Sequence, residues 1–312
     1  MAIATDDRNL GLEIPGAAIR AGGDVQPAAR AQALHPGGPV TNANKALWEK
    51  GDFGRIAVSM RESGEDLVRQ AGIVPGMDVL DLGCGDGTTA IPAAKLGARV
   101  LGVDIAPRIV EAGNRRAAQA GFSSTCRFIE GDACDLGSLE NKSFDRVISI
   151  FGAMFAPKPY DVAREMVRVT RPGGRILMGN WIPNDPTLVA QILKVCSTYL
   201  PPPPEGFVSP MGWGVPANVI ERFGGAGIAW EGITCERDTY VFDFDGTPAD
   251  FACTFLQFYG PTMSALEAAG KDGRGDALRS ELVALFERHN QCQYPGRTLA
   301  SAVFLKVTVE VN

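Results

Sequence analysis

Three glycines at alternate positions, directly after an apolar strand, constrain this chain more than any other feature. Residues 79–87 read Val-Leu-Asp-Leu-Gly-Cys-Gly-Asp-Gly, which sets Asp81 inside the apolar run and ends it with Gly83, Gly85 and Gly87. Because glycine has no Cβ, the backbone can turn tightly here and approach a ligand closely. A helix that begins near Thr88 would point its free amides at the same turn. The segment predicts a site for a flat, polar ligand.

The spacing of the glycines separates two classes of ligand. The dinucleotide fingerprint Gly-x-Gly-x-x-Gly, counted from Gly83, needs a glycine at position 88, where this chain has Thr. Counted instead as Asp-x-Gly-x-Gly-x-Gly from Asp81, the stretch resembles motif I of the class I S-adenosylmethionine-dependent methyltransferases. In that family the loop meets the amino-acid end of the cofactor. The resemblance assigns to the cofactor site Asp81, Gly83, Cys84, Gly85 and Thr88.

Two more carboxylates stand at the ends of the next two apolar runs. Asp104 closes the run that starts at position 99, and Asp132 follows the run over 126–129. A carboxylate at the C-terminal end of a strand can accept hydrogen bonds from both ribose hydroxyls. The family resemblance implies that Asp132 accepts from the adenine amino group. It also adds to the cofactor site Ile105, Ala133 and Phe151.

Each carboxylate also has a purely structural interpretation. Asp104 can cap the helix that Pro107 opens, and Asp132 can be a turn residue. Asp81 is harder to explain in this way, because a charge inside an apolar strand is costly unless it is hydrogen-bonded. We expect Asp81 to hold the loop amides and the cofactor amine.

The order of apolar runs predicts an α/β fold. The resemblance implies a Rossmann-like, seven-stranded methyltransferase sheet, mostly parallel with the last strand antiparallel, and helices on both faces. The methyltransferase domain would span residues 41–312, with its core at 65–182 and later strands near 233–244 and 299–311. Helical segments at 183–216 and 248–290 would form a substrate cap over the edge of the sheet where ligands bind in such folds.

The N-terminal part divides into two predicted segments. Residues 1–40 are rich in Ala, Gly and Pro without periodicity, and we expect a mobile extension. From position 42 the pattern becomes helical, with Trp48 and Phe53 among its apolar residues. These two aromatic residues are candidates for a lid over the cofactor, and ordinary core packing is the alternative.

Composition limits the possible partners and location. The formal net charge of −6 opposes a nucleic-acid partner, and no apolar stretch approaches the ~20 residues of a membrane span. The first 30 residues lack the apolar region of a signal peptide, so we expect a cytoplasmic protein. The seven cysteines are scattered without a Cys-x-x-Cys pair, which predicts no metal site. The sequence leaves a homodimer open.

The methyl acceptor is less well defined by the sequence. We expect Phe155 and Trp181 to line its pocket, with His289 and Tyr259 as candidates for both the pocket and a catalytic role. A general base is needed only if the acceptor loses a proton. For His289 a surface or helix-capping role is the alternative, and for the aromatic residues it is core packing.

The prediction is a methyltransferase that uses S-adenosyl-L-methionine, releases S-adenosyl-L-homocysteine, and acts on a small, partly apolar metabolite by in-line displacement. Segments such as Tyr259-Gly-Pro also resemble a bacterial branch near the type 11 and quinone-biosynthesis methyltransferases. Two alternatives remain at this point: a nicotinamide-dependent oxidoreductase on a similar sheet, and a regulator that binds S-adenosylmethionine without catalysis.

Overall fold

The centre of the protein is one seven-stranded sheet. The structure, a computed structural model, describes residues 44–312, so the predicted extension over residues 1–40 lies outside the described residues. The strands are β1 (Asp78–Leu82), β2 (Arg99–Asp104), β3 (Cys126–Glu130), β4 (Phe144–Ile150), β5 (Thr170–Trp181), β6 (Ile233–Asp245) and β7 (Arg297–Val311). Their spatial order is β3-β2-β1-β4-β5-β7-β6.

Strand direction confirms the predicted Rossmann-like sheet. The first five strands are paired in parallel, and β7 runs antiparallel between β5 and β6. The strand order reverses between the neighbours β1 and β4. On one side the strands follow as β1, β2 and β3, and on the other side as β4 and β5. This boundary is the topological switch point, where open α/β sheets bind their ligands.

Helices cover both faces of the sheet. They are α1 (Lys45–Lys50), α2 (Phe53–Ala57), α3 (Arg61–Gln70), α4 (Ala90–Lys95), α5 (Pro107–Gln119), α6 (Pro159–Val169), α7 (Leu188–Ser197), α8 (Pro216–Gly225), α9 (Pro248–Phe258), α10 (Gly260–Lys271) and α11 (Gly275–His289). Because side chains alternate along a strand, Val79 and its neighbours on one face pack against α3, α4 and α5. The other face of β5 is covered by α6, which itself contacts α8.

Four helices pack together beside the β5-β7 half of the sheet. We call α7, α9, α10 and α11 the cap. Helices α10 and α11 pack against each other, and both also pack against α7 and against α9. Breaks near Gly260-Pro261 and Gly270–Gly275 divide the long helical pattern into α9, α10 and α11, as the sequence indicates. Among residues 44–312, no helix combines the length and the apolar character that a bilayer crossing requires.

The sequence predicts a fifth strand over 175–179, after the turn of Arg171-Pro-Gly-Gly, and β5 is longer than this at both ends. The sequence places its start at Arg175, but the strand begins at Thr170, which pairs with Phe144 before a shift of register. The sequence also takes the chain out of the sheet at Asn180, whereas Trp181 still pairs with Phe304 of β7. Pairing with β4 extends the start of β5 and pairing with the antiparallel β7 extends its end, and local sequence contains neither pairing.

Candidate active site

A deep cleft opens at the switch point and joins two chemically different halves. The polar half lies at the ends of β1, β2 and β3, and its residues are Gly83, Cys84, Gly85, Thr88, Thr89, Asp104, Ile105, Asp132 and Ala133. The aromatic half lies towards β5, β6 and the cap, and its aromatic residues are Phe151, Phe155, Trp181, Tyr240, Phe242, Phe255 and Tyr259. The cleft therefore presents one polar and one aromatic wall to a ligand.

The glycine loop adopts the conformation that its sequence predicts. Gly83, Gly85 and Gly87 have φ angles of +68°, +56° and +91°, a region that side chains with a Cβ rarely enter. A Cβ on Gly83 would lie 2.6 Å from the Cα of Gly152, so the loops after β1 and β4 touch through their backbones. This close approach shapes the floor of the cleft.

Asp104 has a structural and a cleft-facing role at once. Its carboxylate accepts hydrogen bonds from the amides of Gly85, at 2.9 Å, and Ala106, at 3.0 Å. It also lines the cleft. Burial raises the pKa of Asp104, and the backbone amides oppose that rise. The carboxylate fixes the glycine loop against β2 while remaining accessible from the cleft.

Asp81 does not line the cleft, and this corrects its predicted direct contact with the cofactor. It is 1% exposed and lies behind the loop, where one oxygen accepts a hydrogen bond from the Thr89 hydroxyl at 2.5 Å. Its other oxygen has no hydrogen-bond partner among the described residues. Burial raises the pKa of Asp81 to about 7. Thr89, which the sequence analysis missed, lines the cleft in its place.

Helices α1 and α2 contribute side chains to the wall of the cleft, and we call residues 44–57 the lid. Trp48 and Phe53 line the cleft and are only partly buried. The Trp48 ring lies edge-on to Phe155, with centroids 4.9 Å apart, and 6.1 Å from the Tyr259 ring. The Asn44 side chain donates to the Phe155 carbonyl at 2.6 Å. Trp48 and Phe53 therefore connect the polar half and the aromatic half of the cleft on the lid side.

Charged groups anchor the chain that follows the lid to the glycine loop. Arg61, the first residue of α3, donates to both carboxylate oxygens of Asp86 and also to the Thr88 hydroxyl. Asp86 is 5% exposed, and Arg116 lies 3.3 Å from its Oδ1. A buried pair of this kind keeps its geometry because separating it would leave a charge unpaired.

The aromatic half is built around Phe151. Its ring stacks on Trp181, with centroids 3.6 Å apart and planes 9° apart, and meets Tyr240 edge-on at 5.0 Å. Phe151 has a φ of +61°, uncommon for a residue with a large side chain. Its amide donates to the Gly179 carbonyl at 2.9 Å, which holds this turn in place. The strained turn directs an aromatic ring into the cleft immediately after β4.

The structure separates the two predicted catalytic candidates. Tyr259 lines the cleft, together with the predicted pocket residues Phe155 and Trp181. His289 does not: it is the last residue of α11, partly buried, and absent from the cleft lining. Burial and the neighbouring Arg288 lower its pKa. The predicted pocket role of His289 is therefore corrected, and its position fits the helix-end interpretation.

Several cleft residues were missed because no local motif marks them. Tyr240 and Phe242 come from β6, and Phe255 comes from α9. Alternation along β6 identifies one buried face, but not which ligand that face meets. Among the described residues, no group of His, Cys, Asp or Glu side chains is placed to hold a metal ion.

Sequence comparison relates this chain to methyltransferases and to uncharacterized mycobacterial proteins. A family model for a methyltransferase domain matches residues 80–178. The chain is 33% identical over 223 residues to the uncharacterized protein Rv1403c of Mycobacterium tuberculosis, covering 71% of this chain and 78% of that one. It is 35% identical over 99 residues to the sterol 4-C-methyltransferase strm-1 of Caenorhabditis elegans, covering 32% of this chain and 29% of that one.

Structural comparison supports the same fold. A putative methyltransferase from Bacillus halodurans aligns with a TM-score of 0.54 at 16% identity, covering 80% of this chain and all of that one. The strand order, the glycine loop and the cleft thus define a Rossmann-like enzyme of the methyltransferase type. This chain belongs to the class I S-adenosylmethionine-dependent methyltransferases, and S-adenosylmethionine is its cofactor. The dehydrogenase alternative is excluded, while the resemblance to the quinone-biosynthesis branch stays a prediction.

Proposed function

We propose that the protein transfers a methyl group to a small, uncharged and largely apolar metabolite by in-line displacement. The observation that carries this proposal is the continuity of one cleft from its polar half to its aromatic half. When bound, S-adenosylmethionine supplies an electrophilic methyl group on a sulfonium. In-line displacement requires the acceptor to be held about 3 Å away on the opposite side.

The polar half has the donors and acceptors that this cofactor needs. Asp104 lines the cleft and would accept hydrogen bonds from the ribose, and Gly83 and Gly85, which have no Cβ, would let the amino-acid end approach the backbone closely. A Cβ on Gly85 would stand 3.7 Å from the Phe53 ring, so loop and lid leave only a narrow gap between them. We assign to cofactor binding the cleft residues Trp48, Phe53, Gly83, Cys84, Gly85, Thr88, Asp104, Ile105, Asp132, Ala133 and Phe151.

The lining of the cleft favours an uncharged acceptor. Among the described lining residues the charged side chains are Asp104 and Asp132, and both belong to the polar half. The aromatic half offers no Lys or Arg to a carboxylate or phosphate, and no carboxylate to an ammonium group. Burying an unpaired charge there would be costly. An apolar acceptor gains from the same environment.

The protein contributes to methyl transfer mainly by positioning the acceptor and by excluding water. No His, Lys or carboxylate side chain of the described lining stands in the aromatic half to remove a proton. Stacked rings and the lid restrict the acceptor and exclude water. This arrangement suits an acceptor atom that attacks without prior deprotonation by the protein.

Methyl transfer can be tested with labelled cofactor and fractionated metabolite pools, with products identified by mass spectrometry. We expect the label in a small, uncharged organic product. Asp104→Ala should weaken S-adenosylhomocysteine binding by at least about tenfold, since it removes a charged hydrogen-bond acceptor. Calorimetry on the purified protein measures this affinity.

Asp243→Ala is the matched control, because this carboxylate pairs with Arg297 on the edge strand β6 and does not line the cleft. It should leave cofactor affinity unchanged. Unchanged affinity in Asp104→Ala would remove Asp104 from the cofactor site. Label found only in protein or nucleic acid, with none in small molecules, would contradict the proposed acceptor class.

A further inference from the structure

Tyr259 is held rigidly at the junction between α9 and α10. Its amide donates to the Phe255 carbonyl at 2.9 Å, and its carbonyl accepts from the Met263 amide at 3.0 Å. Its ring is 5.3 Å from the Phe255 ring and 6.1 Å from Trp48 of the lid. Backbone and ring are thus fixed from the cap and the lid together, and the side chain lines the cleft.

The Tyr259 hydroxyl differs from that of every other tyrosine in the described chain. Those of Tyr160, Tyr199 and Tyr240 donate to Glu221, Glu281 and the Met60 carbonyl, and Tyr294 is 75% exposed to solvent. Tyr259 is 4% exposed, no hydrogen bond from the described residues reaches its hydroxyl, and that hydroxyl is not among the fully enclosed polar atoms that lack a partner. The hydroxyl therefore keeps some accessible surface, and the hydroxyl of a largely buried tyrosine normally finds a partner.

The surroundings keep this hydroxyl in its protonated form. Burial raises the pKa of Tyr259, and the Cys196 thiol nearby acts in the same direction. A protonated phenol can donate one hydrogen bond. Phe53 and Phe255 offer only rings to that space, whereas Trp48 also carries an indole N–H. A ligand in the aromatic half would thus meet the Tyr259 hydroxyl in a mostly apolar wall whose other side-chain donors include the indole N–H groups of Trp48 and Trp181.

We propose that the Tyr259 hydroxyl donates a hydrogen bond to the methyl acceptor, and that the acceptor is a flat apolar molecule with a neutral oxygen or nitrogen at that end. The inference rests on the proposed methyl transfer and adds the polar group by which the acceptor is oriented. A hydrogen bond to the Tyr259 hydroxyl would set which end of the molecule faces the cap. The opposite end, or a ring atom, then faces the polar half.

The test compares 2-naphthol with naphthalene, two probes of similar shape that differ by one hydroxyl. Their dissociation constants are measured by equilibrium dialysis on the full chain saturated with S-adenosylhomocysteine. The ratio of the two constants is then compared between wild type and Tyr259→Phe, so that the solvation of the free probes cancels. We expect the preference for 2-naphthol to fall about tenfold in the variant. With 2-methoxynaphthalene, which can only accept, the same fall is expected.

Tyr199→Phe is the matched control, since the Tyr199 hydroxyl donates to Glu281 at 2.8 Å and Tyr199 does not line the cleft. It should leave the ratio within about twofold of wild type. An equal ratio in wild type and Tyr259→Phe would overturn the inference, as would failure of all three probes to bind.

The outcome is separable from that of the proposed function. Transfer of labelled methyl to a charged metabolite would leave methyl transfer standing and overturn the inference about Tyr259. Conversely, the naphthol ratio can change in Tyr259→Phe even if no methylated small molecule is found. In that case the hydrogen bond is supported and the proposed reaction fails.

Discussion

Burial gives the two carboxylates Asp81 and Asp104 different tasks, although both follow the same sequence logic. Each ends or interrupts an apolar strand, and sequence reasoning assigns both to the cofactor. In the fold, Asp104 lines the cleft, whereas Asp81 lies behind the loop against the Thr89 hydroxyl. A residue type in a motif therefore identifies a site, but its distance from the ligand depends on how the strand and loop pack.

Asp81 predicts a specific dependence of stability on pH. Burial raises its folded-state pKa to about 7, above the ~3.9 of an unfolded Asp. Between these values the folded state binds the extra proton, so the contribution of Asp81 is complete below about pH 4 and is lost as pH rises through about 7. Relative to Asp81→Asn, the wild-type free energy of unfolding should fall across this range.

Urea unfolding of wild type and Asp81→Asn at several pH values measures this difference. Asp104, whose pKa is also raised, is present in both proteins, so its effect largely cancels. The slope of the difference should reach at most about 1.4 kcal/mol per pH unit. A difference independent of pH would show that Asp81 is ionised in the folded protein.

At the scale of elements, close backbone contacts dock the lid on the cap. A Cβ on Gly51, which follows α1, would lie 2.2 Å from the Phe258 carbonyl oxygen. A Cβ on Gly260, the first residue of α10, would lie 2.6 Å from the Leu47 carbonyl oxygen. An ion pair between Lys50 and Glu267 joins the same elements. The roof of the cleft is therefore made of two parts that meet through glycines.

We expect Gly51→Ala to displace the lid, because the added methyl group meets backbone rather than a flexible side chain. Overpacking of this kind costs about 1–3 kcal/mol. The free energy of unfolding should fall by this amount, and the affinity for S-adenosylhomocysteine should fall several-fold as Trp48 and Phe53 shift. Chemical unfolding and calorimetry provide the two measurements.

Gly270→Ala, in α10, serves as the control for this variant. No heavy atom lies within 4 Å of a Cβ at that position. The substitution should stabilise the protein by about 0.5–1 kcal/mol, because alanine favours the helix, and leave affinity unchanged. If both variants bind the cofactor product equally well, the lid is not part of its site.

For the molecule as a whole, ligand binding should appear as a gain in stability. A ligand that binds only the folded state at 100 times its dissociation constant adds about 2.7 kcal/mol to the free energy of unfolding. For a protein of this size that corresponds to a rise in melting temperature of roughly 5 °C. We expect this rise with S-adenosylhomocysteine and none with NAD.

Thermal unfolding with each ligand at matched concentrations checks the expectation. By themselves, the glycine loop and Asp104 do not distinguish an S-adenosylmethionine site from an NAD site, since dinucleotide sites also use glycines and a carboxylate. The position of Thr88 and the lid rings favour the adenosyl amino acid. A larger rise in melting temperature with NAD would contradict the assignment of S-adenosylmethionine as the cofactor.

Local sequence was sufficient for most of the sheet. The runs at 79–82, 99–104, 126–130 and 144–150 become β1 to β4 because a strand covered by helices on both faces must be apolar along its length. The glycine loop was readable because only glycine tolerates its φ angles. The ends of β5 were not readable, since its start depends on pairing with β4 and its end on pairing with β7, more than 100 residues later.

The sequence by itself determined the class of enzyme and the polar half of its cleft, because those residues follow strand ends in a fixed local spacing. Only the tertiary structure brought Tyr240 and Phe242 of β6 and Phe255 of α9 to the aromatic half, beside the predicted Phe155, Trp181 and Tyr259. It also moved His289 out of the site and Asp81 behind the loop. Packing between distant elements sets these positions, and no local pattern encodes it.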